Sequence, residues 1–243
     1  MTRLAISKGT DADRLRALDL FAGLGGWARP LRDRGHDVVT LDVDPSLKAD
    51  HVRDILSLKS IGELEGNGGR FDVVLASPPC QAFSLLSVWR HWRKEGSDYH
   101  ALTARARLGV KVMEHTFKLI EGYRPKAWVI ENPRGMMRML APRKPDITVW
   151  YCKLGETRAK PTDLWTNLPV RWPIECKYRN PDCDHERVPR GVRSGTIALK
   201  TPALRALIPY GLGLTVAIAA EYALLDRTAL DGAGIAPPLK EVA

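Results

Sequence analysis

Predominantly apolar runs occupy residues 15–21, 38–41, 71–76 and 127–133, and each is followed by glycine, proline or an acid. Short apolar runs closed by turn residues suit strands buried on both faces of a parallel sheet. Between and after them the spacing becomes helical: residues 27–34, then 103–122 with Leu108, Val112, Phe117 and Ile120 on one stripe, then 213–225, apolar on most sides. Strands alternating with helices predict an α/β fold with a mostly parallel sheet. Residues 1–14 read as a polar lead-in, and 227–243, with Pro237-Pro238, as a mobile tail. Residues 87–100 interleave Trp89, Trp92 and Tyr99 with Arg90, His91, Arg93 and Lys94. That segment suits either a mobile loop closing on nucleic acid or a surface loop anchored by a few rings.

Composition narrows the partners. The 243-residue chain is 44% hydrophobic, enough for a sizeable core. Its net charge of +9 favours a polyanion, nucleic acid before anionic membrane. No apolar run approaches the roughly 18 residues of a spanning helix, and the N-terminus lacks a signal-peptide apolar core. A cytoplasmic location is expected, with the four cysteines reduced, catalytic or metal-bound.

The chemistry-bearing residues fall at the strand ends, the ligand-binding edge of an open α/β sheet. After the first strand comes Phe21-Ala22-Gly23-Leu24-Gly25-Gly26, then a helix. Strand, glycine loop and helix let backbone approach a cofactor closely, although the spacing is not G-x-G-x-x-G. Asp42 closes the second strand, where a carboxylate can accept from ribose hydroxyls; Asp44 before Pro45 suits a turn cap. Asp54 could end a third strand and meet the base of a nucleoside. Ser77-Pro78-Pro79-Cys80-Gln81 follows the run at 71–76, a stiff loop carrying either a nucleophilic thiol or a half-buried cysteine. Glu131, at the same rim, could have a raised pKa and serve as an acid, or cap the turn at Pro133.

These segments, in this order, resemble the DNA (cytosine-5) methyltransferases, of the compact kind found in phages and bacteria. The resemblance rests on Asp19 to Gly26, on Pro78-Pro79-Cys80-Gln81, on Glu131-Asn132 and, loosely, on Leu212 to Ala217. It implies a Rossmann-like, S-adenosylmethionine-dependent methyltransferase. The implied cofactor contacts are Phe21, Ala22, Gly23, Leu24, Gly25, Gly26, Asp42, Asp54, Pro78 and Leu212. It further implies that Cys80 adds to carbon 6 of a flipped-out cytosine in double-stranded DNA, with Glu131 at ring nitrogen 3. Gln81 and Ser84 then lie toward the DNA. A monomer associated with the nucleoid is expected, with restriction-modification as the setting. The alternatives are a tRNA methyltransferase of the same fold and a catalytically silent DNA-binding module, the latter having no need of Cys80 or Glu131.

The chain departs from the family after residue 150. The typical Gln-x-Arg-x-Arg strand is missing, and Arg158 is the candidate for its orienting arginine. The expected organisation is a catalytic domain at 15–168, a short recognition region at 169–205, a returning helix at 206–226 and the tail. Within and just before the recognition region, Cys152, Cys176, Cys183 and His185 form a candidate zinc set, with Cys152 on a strand. The segment has too few apolar residues to fold easily unaided, so a metal staple would serve it. Arg179, Arg187, Arg190 and Arg193 crowd the same region and suit phosphate and guanine contacts.

Overall fold

A computed structural model of the chain describes residues 14–85, 87–169, 176, 183, 185 and 201–225. In chain order the elements are β1 (Arg16–Leu20), α1 (Ala28–Asp33), β2 (Asp37–Asp42), β3 (His51–Val52), β4 (Val73–Ala76), α2 (Val88–His91), β5 (Trp92–Glu95) and β6 (Asp98–Ala101). Then follow α3 (Ala104–Tyr123), β7 (Ala127–Pro133), α4 (Met137–Leu140), β8 (Ile147–Trp150), β9 (Pro161–Thr166), α5 (Pro202–Ala206) and α6 (Tyr210–Leu224).

Seven strands form one sheet in the order β3-β2-β1-β4-β7-β9-β8. The first five are parallel to their neighbours, while β9 runs antiparallel to both β7 and β8. The inner strands β1, β4 and β7 are buried along most of their length and need cover on both faces. One face is covered by α3, which buries Ala106, Gly109, Val112, Met113, Thr116, Leu119 and Ile120 along one stripe of three- and four-residue spacing. Thr103 starts that helix by accepting from the Ala106 N–H, and Arg124 ends it in the left-handed region. The other face is covered by α1 and α6 through Trp27, Leu31, Leu212, Val216 and Ala220. Chain order reverses at β1, between β2 and β4, and a crevice opens at their carboxyl ends.

Helix α6 is clasped to α1. Both guanidinium arms of Arg34 donate to the buried Glu221 carboxylate, and His36 Nε2 lies 2.8 Å from Oε1. His36 Nδ1 accepts from the Leu15 N–H, which leaves Nε2 as the donor. Burial pushes the Glu221 carboxyl up, but the bonds from His36 and Arg34 outweigh it and hold it below the usual range. The clasp therefore stabilises the fold above that range and is lost as pH falls through the lowered value. Glu221→Ala leaves Arg34 without its counterion and is expected to cost about 3–5 kcal/mol in urea unfolding.

Residues 87–100 differ from the loop expected there. They form the short helix α2 and a β5–β6 hairpin turning at Gly96, whose φ is +59°. Trp92 fixes the hairpin: its ring stacks on Phe83 at 6.0 Å, and its indole N–H donates to the Ala82 carbonyl at 2.6 Å. Cys152 lies not on a strand but in the 3-10 turn Tyr151–Lys153 that follows β8. Among the described residues no helix is long and apolar enough to cross a membrane. The tail and most of residues 169–205 lie outside the described residues.

Candidate active site

The crevice holds about 950 Å³ of space, open to solvent. Its walls come from four strand ends: the glycine loop after β1, Asp42 at the end of β2, the Cys80 loop after β4, and Glu131 on β7. Lys160 and the segment from Ala206 to Ile208 complete them.

The glycine loop is held against β2. The amides of Phe21 and Ala22 both donate to the Leu41 carbonyl at 3.0 Å. Asp42 Oδ2 accepts from the Gly23 N–H at 2.9 Å, and Oδ1 accepts from the Asp44 N–H at 3.0 Å. Phe21 is driven to a φ of +102°, a strained turn for a residue with a side chain. A Cβ on Gly26 would sit 2.7 Å from the Ile208 Cβ, so only glycine lets residues 206–208 close this wall. Beneath the loop, Asp19 is fully buried, and the Ala28 N–H serves it only weakly. Burial, then the charge of Asp42, pushes its carboxyl up to about 7.

The Cys80 loop is tied down from three directions. Trp27 Nε1 donates to Ser77 Oγ at 2.9 Å, and Asn132 Nδ2 donates to the Pro78 carbonyl at 2.9 Å. The Cys80 carbonyl accepts from the Phe83 and Ser84 amides at 3.0 Å. The half-buried Cys80 thiol is pushed up by burial, with Lys160 pulling it down and Glu131 pushing it up. Glu131 is 3% exposed, so its charge is displaced from water. Burial raises its carboxyl, against Lys160 and hydrogen bonds from Tyr151 and Ser77. The Tyr151 hydroxyl donates to Glu131 Oε1 at 3.0 Å. Lys160 Nζ lies 4.4 Å over the Tyr151 ring and 3.5 Å from its hydroxyl. One cation thus favours the ionised form of both a thiol and a carboxyl.

Most residues expected at the site meet there: Phe21, Ala22, Gly23, Leu24, Gly26, Asp42, Pro78, Cys80, Gln81 and Glu131 all line the crevice. Others do not. Asp54 is exposed and spends Oδ1 capping a 3-10 turn at the Leu56 N–H, 2.9 Å away. Gly25 and Ser84 are absent from the lining, and Ser84 instead bridges to Gly135. Leu212, on α6, is fully buried in the core. Arg158 is buried, ion-paired to Glu156 and stacked 6.0 Å over Tyr151, outside the crevice lining.

Lys160, Tyr151, Ser77 and the exposed Val43 were missed as site residues. Lys160 had a signal: Arg158-Ala159-Lys160 keeps a cation two residues after the arginine, as Arg-x-Arg would.

A second cluster forms at the edge of the sheet. Ligand atoms of Cys152, Cys176, Cys183 and His185 all lie within 4.8 Å of one another. Cys176 Sγ is 3.5 Å from His185 Nδ1. Burial raises the Cys152 and Cys176 thiols, while the hydrogen bond with His185 lowers that of Cys183. Arg179, Arg187, Arg190 and Arg193 lie outside the described residues.

Residues 15–142 match the family model described as C-5 cytosine-specific DNA methylase. A probable DNA (cytosine-5)-methyltransferase of Frog virus 3 (isolate Goorha) is 30% identical over 185 residues, covering 74% of this chain and 83% of that protein. The type II methyltransferase M.AgeI of Thalassovita gelatinovora is 30% identical over 139 residues, 51% of this chain and 29% of the relative. M.XorII of Xanthomonas oryzae pv. oryzae (strain KACC10331 / KXO85) is 29% identical over 133 residues, 49% of this chain and 28% of the relative. The family match ends before β8 and β9, beside which lie Tyr151, bonded to Glu131, and Lys160, which lines the crevice.

Proposed function

The chain belongs to the C-5 cytosine-specific DNA methylase family, and we propose that this crevice carries out the family's reaction with Cys80 as nucleophile, Glu131 as acid and Lys160 as the cation serving both. The reaction is S-adenosylmethionine-dependent methylation of carbon 5 of cytosine in DNA. The observation that carries the residue assignment is the meeting of Cys80, Glu131 and Lys160 at one wall of the crevice that the glycine loop also lines.

The residues present fit the cofactor. Asp42 uses its oxygens on two backbone amides and, having about four lone-pair sites, keeps acceptor capacity for ribose hydroxyls. Phe21 and Val43 offer apolar faces to a base. The Asp42 carboxylate puts negative potential at the glycine loop, suiting a sulfonium and an ammonium. When bound, S-adenosylmethionine supplies the electrophilic methyl group.

A ring carbon of cytosine is a poor nucleophile while the ring stays aromatic. The Cys80 thiolate, favoured by Lys160, forms a bond to carbon 6, and Glu131 gives a proton to ring nitrogen 3. Carbon 5 then carries enamine electron density and takes the methyl group. Loss of the carbon-5 proton to solvent and expulsion of the Cys80 thiolate, with ring nitrogen 3 returning its proton to Glu131, restore the ring. The base must leave the duplex to reach a thiol at the crevice wall, so it is flipped out. Gln81, exposed at the same rim, faces the DNA, as does Ser84 on the loop beyond it. Residues 169–205 form the recognition region, with Arg179, Arg187, Arg190 and Arg193 on phosphates and bases. Residues 15–168 and the returning helix α6 form the catalytic unit. The enzyme works as a monomer on nucleoid DNA.

The cluster at Cys152, Cys176, Cys183 and His185 binds one structural zinc. Zinc–sulfur bonds of about 2.3 Å in a tetrahedron set ligands about 3.8 Å apart, and a set already within 4.8 Å needs about 1 Å of closure.

Bisulfite sequencing of plasmid DNA from cells expressing the chain tests the reaction. Protected cytosines in one sequence context are expected, and none in cells expressing Cys80→Ala. Protection that persists with Cys80→Ala would remove Cys80 from the mechanism. A pH profile of kcat/KM tests Lys160. Without its charge, Cys80 needs a higher pH to ionise and Glu131 keeps its proton to a higher pH. Lys160→Gln is therefore expected to move both limbs of the profile to higher pH. Limbs that stay in place would show that Lys160 does not serve this pair.

A further inference from the structure

One corner of the sheet edge touches both the acid and the metal ligands. Tyr151 is fully buried, and its hydroxyl donates to Glu131 Oε1. The next residue is Cys152, whose thiol belongs to the four-ligand cluster. Adjacent Cα atoms are fixed about 3.8 Å apart, so a displacement of Cys152 carries Tyr151 with it. The corner is rigid in other respects too. The Tyr151 N–H donates to the Lys160 carbonyl at 3.1 Å, and the Tyr151 carbonyl accepts from Leu154 and Glu156 at 2.9 and 3.2 Å. Helix α6 leans on it as well, since a Cβ on Gly211 would lie 2.3 Å from the Leu154 carbonyl oxygen. Cys152 joins the same corner to Cys176, Cys183 and His185, whose ligand atoms all lie within 4.8 Å of its own.

We propose that Tyr151 is a positioning residue for Glu131 and that zinc held by Cys152, Cys176, Cys183 and His185 fixes the corner carrying it, so that metal occupancy sets the rate of the chemical step. The inference rests on two readings given above, Glu131 as the acid and the cluster as a zinc site. With Oε1 accepting from Tyr151, the proton of the acid form belongs on the other oxygen of Glu131. A loose Tyr151 frees the carboxyl to turn, and a misplaced acid loses rate steeply. The metal thereby does more than fold the recognition region: it couples that region to the acid.

The test uses the full chain, purified with zinc, as wild type, Tyr151→Phe, Cys183→Ser and the double variant. Zinc content is measured by mass spectrometry, and kcat and KM are measured on duplex DNA carrying the methylated context. One zinc per chain is expected in wild type and Tyr151→Phe, and none when Cys183 is replaced. Tyr151→Phe keeps the ring and loses only the hydroxyl. It is expected to lower kcat about tenfold, the upper end for one neutral hydrogen bond, with the cofactor KM nearly unchanged. Cys183→Ser should lower kcat by a similar factor and also raise the KM for DNA. In the double variant kcat should fall no further than in Tyr151→Phe. Chelator treatment of the wild type, followed by zinc, repeats the comparison without a substitution. Hydrogen exchange provides a readout apart from activity: amides of residues 147–154 should lose protection on zinc removal and regain it on zinc return.

The coupling is overturned if kcat losses in the double variant multiply, because the metal then acts elsewhere. Wild-type kcat in Tyr151→Phe overturns the positioning role. A wild type without zinc overturns the metal reading itself, and a wild-type rate in Glu131→Gln overturns the reading of the acid. These failures are distinguishable from one another.

Discussion

Cys80→Ala is expected to reduce methyl transfer below about 10⁻⁴ of the wild-type rate, while the dissociation constant for S-adenosylmethionine changes no more than about twofold. The size follows from the chemistry: without addition at carbon 6, carbon 5 has no enamine electrons to offer. The selectivity follows from the packing. The loop is held by backbone and neighbouring groups, namely Asn132 on the Pro78 carbonyl, Trp27 on Ser77 and the Phe83 and Ser84 amides on the Cys80 carbonyl. None needs the sulfur. Single-turnover kinetics with tritiated cofactor measures the rate, and isothermal titration calorimetry the binding. Weakened cofactor binding in step with the lost rate would mean that Cys80 holds the crevice together rather than attacking the base.

Glu131→Gln is expected to lower kcat by about 10²–10⁴-fold, the usual contribution of a positioned acid. Gln keeps an oxygen to accept from Tyr151, so the pocket is preserved and only the proton is lost. The pH dependence has a definite sign. Burial raises the Glu131 carboxyl above its ordinary value, so the acid form survives above the ordinary carboxylate range. The rate then falls as pH rises through the raised value, and this limb should vanish in Glu131→Gln. Stability follows the same direction with pH. A raised carboxyl favours the fold when protonated and weakens it as pH climbs from the unfolded toward the folded value. Replacing it by neutral Gln should therefore raise Tm at neutral pH while activity is lost. A lower Tm would show that the Glu131 charge is stabilised in the fold, contrary to its burial.

The parallel half of the sheet was legible because its strands are short apolar runs closed by glycine, proline or acids. Those closing residues are the site: the glycine loop, Asp42, Cys80 and Glu131 follow directly from being at strand ends. Lys160 and Tyr151 were hidden for the opposite reason. Lys160 precedes the antiparallel strand β9 and Tyr151 opens a 3-10 turn, in a polar stretch without period, and both lie 20 residues or more along the chain from Glu131. Asp54 has a local role that the sequence reading left out, because a short carboxylate can bond its own backbone two residues on, and it does so at Leu56. Arg158 was chosen for its charge, yet Glu156 two residues earlier claims it. The hairpin at 92–101 carried a readable signal in Gly96-Ser97 between two alternating segments, which the density of cations obscured.

The decisive measurement is covalent trapping. Duplex DNA carrying 5-fluorocytosine in the methylated context is incubated with the chain and S-adenosylmethionine, and the product is digested and mapped by mass spectrometry. Carbon 5 then has no proton to lose, so the adduct should accumulate as one modified nucleotide bonded to Cys80. An adduct on another residue, or turnover of ordinary DNA with no adduct formed, would contradict the assignment of Cys80 as the nucleophile.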